Sequence, residues 1–391
     1  MTPSARVQAA IEILDEVIAA ARDDGPPADA IVQRYFKTRR YAGSKDRRAV
    51  RELVYRAIRR SGDRPDSGRA AMVGLAGDDP HLVASFDGSS HGPAPIGDTD
   101  GSPAQLLPAW VEPELSPLVS EDEWPALLER APLDLRVNIA RTDRKAVQAE
   151  IEGAEPTLLS PWGLRLPPDT RIDGHELFKT GLVEVQDEGS QLIALTALAG
   201  NGELVLDLCA GAGGKALAIA AASPGSGMVA SDTSRARLSQ LAPRAERAGA
   251  IIDTRLLDGG REVEQLADLV GQCDVVLVDA PCSGSGTWRR NPEGRWRLTP
   301  DRLDRVVALQ SKLLDLAATL VKPGGRLVYA TCSILTREGA GQVNAFLGRH
   351  SSWVTQDVGF DGGRGDGGGR LLTPAHDRTD GFFVARLGRP C

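Results

Sequence analysis

The sequence predicts an α/β protein. Its C-terminal half reads as a doubly wound, mostly parallel sheet, preceded by an all-helical domain and a small α+β module. Three observations predict this. From residue 181 onward, apolar strand-like runs alternate with helical stretches, as βαβ units require. Before residue 86 the apolar positions recur at helical spacing. Between these regions, short alternating runs stand among prolines. A chain of 391 residues, 41% hydrophobic and 25% charged, has the apolar content to bury such cores.

Taken in order, residues 4–22 place Val7, Ile11, Leu14 and Ile18 on one helix face, with Ala10 and Val17 beside them. Residues 44–60 repeat the pattern with Val50, Leu53, Val54, Ala57 and Ile58, and Ser44 is expected to cap the start. Residues 1–85 are therefore expected to form the helical domain. Within it, residues 34–60 hold eleven Lys/Arg and two acids (Asp46 and Glu52), a local balance of +9. Such a face attracts phosphate backbones despite the net charge of −7 for the chain. Arg39, Arg40, Lys45, Arg47 and Arg48 are the expected RNA contacts, and Tyr35, Tyr41 and Tyr55 either stack on bases or pack.

"DGSSHGPAPIGDTDGSP" reads as a linker or long loop at 86–103. Residues 104–130 are expected to return to helix, interrupted by Pro108, Pro113, Pro117 and Pro125. "LDLRVNI" (133–139) and "GLRL" (163–166) read as strands around the helical "RKAVQAEIEG", which makes 104–180 the α+β module. In 181–391 strands are expected at 203–208, 227–231, 252–257, 274–279 and 325–331. Helices are expected at 188–199, 214–222, 234–248 and 301–321. A last strand, "GFFVARL" (381–387), follows a Gly-rich loop at 361–370.

Composition excludes several classes. No apolar run approaches the roughly 18 residues of a membrane span, and "MTPSARVQAA" carries no secretory pattern. Five cysteines (209, 273, 282, 332 and 391) form no CxxC, and five scattered histidines offer no metal spacing. A reduced, cytoplasmic, metal-free protein is expected, with no membrane partner, and a monomer.

"VLDLCAGAGGKALAIAA" (205–221) runs strand, glycine turn, helix, an arrangement whose backbone and free N–H groups suit a ligand. A P-loop is excluded, because it needs Gly at Cys209 and Ser or Thr at Ala216. Gly211, Gly213 and Ala216 satisfy the dinucleotide pattern GxGxx[G/A], so an NAD-dependent oxidoreductase is one alternative. S-adenosylmethionine makes the same demands on such a turn. Asp207, Asp232, Asp258 and Asp279 end four successive strands, and that acidic rim suits an amino-bearing cation better than a pyrophosphate.

Two cysteines follow strand ends, in "VLVDAPCSGSG" and "RLVYATCS". Ligands of doubly wound sheets bind at those ends. Pro281 and the Ser/Gly run around Cys282, and Thr331 and Ser333 around Cys332, do not look like core positions. One chemistry that uses thiols at such a place is methylation of cytosine C5. A thiolate adds to C6, C5 becomes nucleophilic, and a second base removes the C5 proton so that the thiolate leaves. Asp279, three residues before Cys282, is placed to meet charge at N3.

These motifs, with "VQDEGSQL" and "DGFFVARL", resemble the Sun (RsmB/nucleolar NOL–NOP) family of RNA cytosine-5 methyltransferases over about 180–391. The helical N-terminus, with "YAGSKDRRAVRELVYRAIRR", is similar to a NusB-like RNA-binding domain. The resemblance implies a class I, Rossmann-like methyltransferase domain at 181–391. It implies methylation of small-subunit (16S) rRNA with S-adenosylmethionine. It makes Cys332 the nucleophile and Cys282 the residue that assists release. It sets Cys209, Ala210, Gly211, Ala212, Gly213, Gly214, Lys215, Asp232, Asp258 and Asp279 around the cofactor, with Lys215 and Asp279 near the reacting centre. Two departures stand out: "AGAGGKA" has Ala212 and Ala216 where the family has proline and threonine, and after "TCS" the chain keeps Glu338 but has Gly339 in place of asparagine. "TWRRNPEGRWRLTP" (287–300) interleaves arginines with Trp288 and Trp296, so Arg289, Arg290 and Arg295 are expected to reach RNA; the alternative is a surface loop whose tryptophans pack underneath. Besides the oxidoreductase, a non-catalytic RNA-binding or ribosome-assembly factor remains a reading; it leaves the cysteine pair unexplained.

Overall fold

The computed structural model describes residues 1–97, 101–168 and 170–391. The parts of the expected linker and module at 98–100 and 169 lie outside the described residues. The chain divides into two compact units. One contains Met1–Leu115, Ser120–Glu129 and Thr287–Pro300; the other contains Ser116–Val119, Arg130–Gly286 and Asp301–Cys391.

The first unit is helical: α1 (Pro3–Arg22), α2 (Ala28–Thr38), α3 (Ser44–Arg60) and α4 (Gly68–Asp78). Thr2 caps α1 by accepting from the Ala5 amide, and Pro3 occupies the first turn, where no N–H is needed. The cap of α3 falls one residue earlier than expected: Gly43 is the N-cap and Ser44 is already helical. Val7, Leu14, Val17, Val50, Val54 and Ile58 meet in one core.

The expected helix at 104–130 is corrected to short 3₁₀ turns at Glu112–Glu114 and Glu121–Leu127, because the prolines remove amide donors. This stretch belongs mainly to the helical unit. Residues of the expected linker or long loop also pack there. Ser4 donates to Asp87 at 2.7 Å, Arg69 donates to the Ala94 and Pro95 carbonyls, and the Ser102 amide bonds the Ala70 carbonyl.

Thr287–Pro300 was expected as an RNA-contacting loop. Its tryptophans instead enter the helical unit: Trp288 is 1% and Trp296 3% exposed, and Trp296 sits in the helical core, donating its indole N–H to the Ser61 carbonyl at 2.8 Å. Arg295 is 1% exposed, and its guanidinium is spent on the Pro292, Ile58 and Leu106 carbonyls. Burial first, then Arg59 nearby, pushes its pKa down to about 9. Arg289 is buried too, and Arg290 is half-buried. The expectation of RNA contact is therefore corrected for Arg295 and Arg289.

The second unit holds two sheets. The smaller has β1 (Leu133–Val137), β2 (Glu155–Pro156), β3 (Gly163–Leu166) and β4 (Val183–Val185), in the antiparallel order β2-β3-β1-β4. It closes on its own core of Leu135, Val147, Leu164 and Val183, so the module runs beyond residue 180. Buried Asp134 takes Arg165 in a bidentate pair at 2.7 Å and also accepts from the Glu188 amide, which fastens the module to the next helix.

The larger sheet has β5 (Leu204–Asp207), β6 (Gly227–Asp232), β7 (Asp253–Leu256), β8 (Cys273–Asp279), β9 (Val321–Thr331), β10 (Val354–Gln356), β11 (Arg364–Asp366), β12 (Gly369–Leu372) and β13 (Phe382–Gly388). Its order is β11-β12-β13-β9-β8-β5-β6-β7, with β10 on β13. Strands β7, β6, β5, β8 and β9 are mutually parallel, and β13 runs antiparallel to β9. The order reverses direction between β5 and β8, the switch point where doubly wound sheets open a ligand crevice. The Gly-rich stretch at 361–370 is not a plain loop; it forms most of the β11–β12 hairpin. The expected helix at 234–248 is two, Arg235–Leu238 and Leu241–Ala248.

Replacing Trp296 with Ala is expected to remove about 3–5 kcal/mol of stability, as for other large buried aromatics. Urea titration of the variant measures this, and a loss under about 1 kcal/mol would contradict the core assignment.

Candidate active site

Parallel pairing of β8 with β9 sets Asp279 beside Ala330, so both chains leave the sheet at one edge. Cys282 lies three residues past β8 and Cys332 one residue past β9. Their sulfurs are 3.3 Å apart and half-buried. The Gly286 amide bonds the Cys332 carbonyl at 3.0 Å, which stitches the two loops by backbone as well. The hydrogen bond with Cys332, then burial, hold the Cys282 thiol well above its ordinary range.

The glycine turn follows β5. Gly213 has φ +79°, and a Cβ there would stand 2.1 Å from Leu241; Gly211 has φ +56° and lies under Arg237. Helix Gly214–Ala222 starts at once, and Lys215 in its first turn donates to Asp279 at 2.7 Å. Burial opposes the lysine's charge, but Asp279 and Asp207 outweigh it and raise its pKa. Asp207 is 1% exposed, and one of its oxygens has no hydrogen-bond partner. Burial, reinforced by Asp279, pushes its pKa up to about 7.

Asp207, Lys215 and Asp279 line a cavity of about 340 Å³, with Ala210, Ala212 and Gly214 beneath. Asp232 receives the Gly211 and Ser234 amides, both at 2.7 Å, and thereby shapes the turn. Asp258 is exposed past β7, where its amide and carboxylate bond Gln265. The Cys209 thiol is pushed far up, by burial first and then by Asp207, Asp279 and Asp232.

The residues present suit S-adenosylmethionine. A buried carboxyl oxygen without a partner wants a donor, which the ammonium of a methionine moiety supplies. The acidic rim favours a cation, and the glycine turn leaves room for a ligand against the backbone.

Residues the sequence did not single out complete the cavity. Gln186, Asp187 and Ser190 arrive from the "VQDEGS" turn, and Arg237 and Arg244 arrive from the two helices after β6. The Arg244 guanidinium donates to the Ala212 carbonyl and, at 2.8 Å, to Glu184. The "VQDEGS" run was visible as a motif, whereas nothing local marked the arginines.

On the basic face, Arg40, Lys45, Arg47 and Arg48 are exposed. Arg39 lies over the Tyr35 ring at 3.6 Å and pairs with Glu12. Tyr35 and Tyr55 are buried and donate to Glu12 and Asp29, so they pack; Tyr41 is 74% exposed. Among the described residues no helix is long and apolar enough to cross a membrane, and no group of His, Cys, Asp and Glu is arranged to hold a metal.

The pKa of Asp207 has a consequence for stability. A carboxyl whose pKa is raised on folding binds its proton more tightly in the native state. Its stabilising contribution is present at low pH and is lost as pH rises from the unfolded value, roughly 3.9, to about 7. Thermal melts of the ligand-free protein between pH 5 and 8 are expected to fall more steeply for the wild type than for Asp207→Asn. Parallel curves would contradict this.

The 16S rRNA methyltransferase RsmB/F family model matches residues 194–388. The chain is 34% identical over 290 residues to ribosomal RNA small subunit methyltransferase B of Enterobacter sp. (strain 638), covering 72% of this chain and 66% of that protein. It is 37% identical over 279 residues to the protein of that name from Vibrio cholerae, covering 68% and 62%. The chain thus spans just under two thirds of the length of these curated relatives. The crystal structure of PH0851 superposes with a TM-score of 0.76 at 23% identity, covering 99% of both chains. That of NSun6 from Pyrococcus horikoshii with SFG gives 0.59 at 18% identity, covering 68% of this chain and 92% of that one. Both likenesses show the fold. With its paired cysteine loops and glycine turn on the larger sheet, the chain belongs to the RsmB/F (Sun-type) methyltransferase family.

Proposed function

We propose that this protein methylates C5 of a cytosine in RNA, with small-subunit (16S) rRNA as substrate and S-adenosylmethionine as donor. The observation that carries the reading is the 3.3 Å approach of the Cys282 and Cys332 sulfurs, within one loop of the Lys215–Asp279 pair. Relatives named as small-subunit rRNA methyltransferases support the substrate.

Cys332, after giving its proton to solvent, adds its sulfur to C6, and the ring electrons move toward N3. A proton delivered to N3 neutralises that charge, and Asp279, held by Lys215, is the group proposed to deliver it. When bound, S-adenosylmethionine supplies an electrophilic methyl group. Asp207, Lys215 and the backbone from Cys209 to Gly214 would hold its methionine side, and Asp232 and Asp258 its adenosine side.

Cys282 then takes the C5 proton and Cys332 departs. The raised pKa of Cys282 fits this order. Its causes are the hydrogen bond with Cys332 first and then burial, which favour the neutral thiol at Cys282 and leave addition to Cys332. To take the C5 proton, Cys282 first gives up its own proton to solvent.

The basic face of the helical unit, through Arg39, Arg40, Lys45, Arg47 and Arg48, is the proposed docking surface for RNA phosphates. This is the role implied by its NusB-like sequence. Arg290, half-buried, is a secondary contact. An rRNA substrate places the protein in the cytoplasm.

Cys332→Ala is expected to reduce methyl transfer to background, while Cys282→Ala accumulates a denaturant-resistant protein–RNA adduct. Bisulfite sequencing of rRNA and gel analysis of the variants read these outcomes. Full activity of Cys332→Ala sinks the mechanism. S-adenosylhomocysteine is expected to raise the melting temperature and NADH to leave it unchanged; the reverse would favour an oxidoreductase.

A further inference from the structure

Glu338 has no part in the steps above, yet it is fully buried, 0% exposed, six residues past Cys332. It ends the short 3₁₀ turn Thr336–Glu338. Four donors converge on its carboxyl group. Oε1 accepts from the Ser283 amide at 2.8 Å and from Gln310 Nε2 at 2.9 Å. Oε2 accepts from the Ser333 hydroxyl at 2.6 Å and from the Ser283 hydroxyl. Its backbone carbonyl takes the Tyr329 hydroxyl of β9 at 2.8 Å.

The donors are informative. Ser283 follows Cys282, and Ser333 follows Cys332. Gln310, on helix Pro300–Leu320, also donates to the carbonyl of Pro281, which precedes Cys282. One carboxyl group is therefore bonded to the residue after each reactive cysteine, and through Gln310 to the residue before one of them. Ser285 adds a cross-link, 3.0 Å from the Ser333 hydroxyl and accepting from the Ile334 amide at 3.0 Å.

Burying a carboxyl group costs several kcal/mol unless donors replace its water. A hydrophobic residue would fill the space more cheaply, but it could not grip two separate loops by direction and distance. Next to it, a Cβ at Gly339 would lie 2.8 Å from the Phe383 ring, so glycine lets the turn carrying Glu338 press against the sheet.

We propose that Glu338 is a positioning residue: it locks the two cysteine loops in one register, so that the sulfurs of Cys282 and Cys332 face the same base. This rests on the methyltransferase reading for its consequence, but the locking itself is a property of the folded chain. The negative charge of Glu338 also adds to the hydrogen bond and burial that keep Cys282 protonated.

The test separates the two. Phenylarsine oxide bridges two neighbouring thiols, forming two As–S bonds and releasing one water, with no oxidant. It reads sulfur spacing without reference to methyl transfer, and Cys282→Ala and Cys332→Ala control for the other cysteines. Glu338→Ala is expected to slow capture at least tenfold. Glu338→Gln is expected to stay near the wild-type rate, because its amide oxygen keeps two donors and its NH₂ can donate to serine hydroxyls that reverse direction.

In methyl transfer, Glu338→Ala is expected to lose about 100-fold in kcat with KM for RNA little changed, the size of effect that roughly 1 Å of misplacement produces. Glu338→Gln is expected to recover most of it. Should Glu338→Ala fail to fold, Ser283→Ala combined with Ser333→Ala removes both hydroxyl ties and is expected to slow capture while melting near the wild type. Unchanged capture in a folded Glu338→Ala, or equally slow capture in Glu338→Gln, overturns the proposal. Normal arsenical behaviour with no methyl transfer in the wild type would overturn the functional reading instead.

Discussion

Parallel pairing of β8 and β9 is the constraint on which the site depends. Parallel neighbours end at the same edge of a sheet, so loops fifty residues apart in sequence emerge side by side. The register sets Asp279 against Ala330 and leaves only a few residues before each cysteine. With so little slack, the two sulfurs have nowhere to diverge. Buried bonds between the loops then hold the contact at 3.3 Å. A shift of one residue in either strand would turn the alternating side chains over and separate the pair.

The second organising force is electrostatic. β5 and β8 adjoin at the switch point, which brings Asp207 and Asp279 close together in a poorly solvated crevice. Two carboxyl groups repel there, and Lys215 compensates by lying on Asp279. Burial and the neighbouring Asp279 push the pKa of Asp207 up to about 7, and one of its oxygens lacks a partner. A ligand ammonium placed against that oxygen would supply the missing donor. The Lys215–Asp279 contact joins the helix that follows the glycine turn to the strand that delivers Cys282.

Legibility followed locality. The alternating strands and helices after residue 181 showed in the sequence because each element buries an apolar face with its own period. The cysteine loops showed because Pro, Ser and Gly around a thiol are incompatible with ordinary core packing. Reading failed where partners are remote. Trp288, Trp296 and Arg295 look like a nucleic-acid loop in sequence, yet their partners are Ser61, Ile58 and Leu106 of the helical unit. The prolines of 104–130 were visible, but their power to reduce a helix to 3₁₀ turns was underestimated. The β11–β12 hairpin hid in a Gly-rich run because its pairing partner, β13, lies further along the chain.

The sequence by itself determined the layered α/β class, the glycine turn, the acidic strand ends and the presence of two thiols in loops past strand ends, because each is a property of a few adjacent residues. Only the tertiary structure decided that the thiols touch, that Glu338 ties their loops together, that Asp207 is left short of a partner and that Arg295 faces inward. Those facts depend on which strands pair and which surfaces are covered, and burial, hydrogen-bond satisfaction and charge neighbours exist only once distant segments have met.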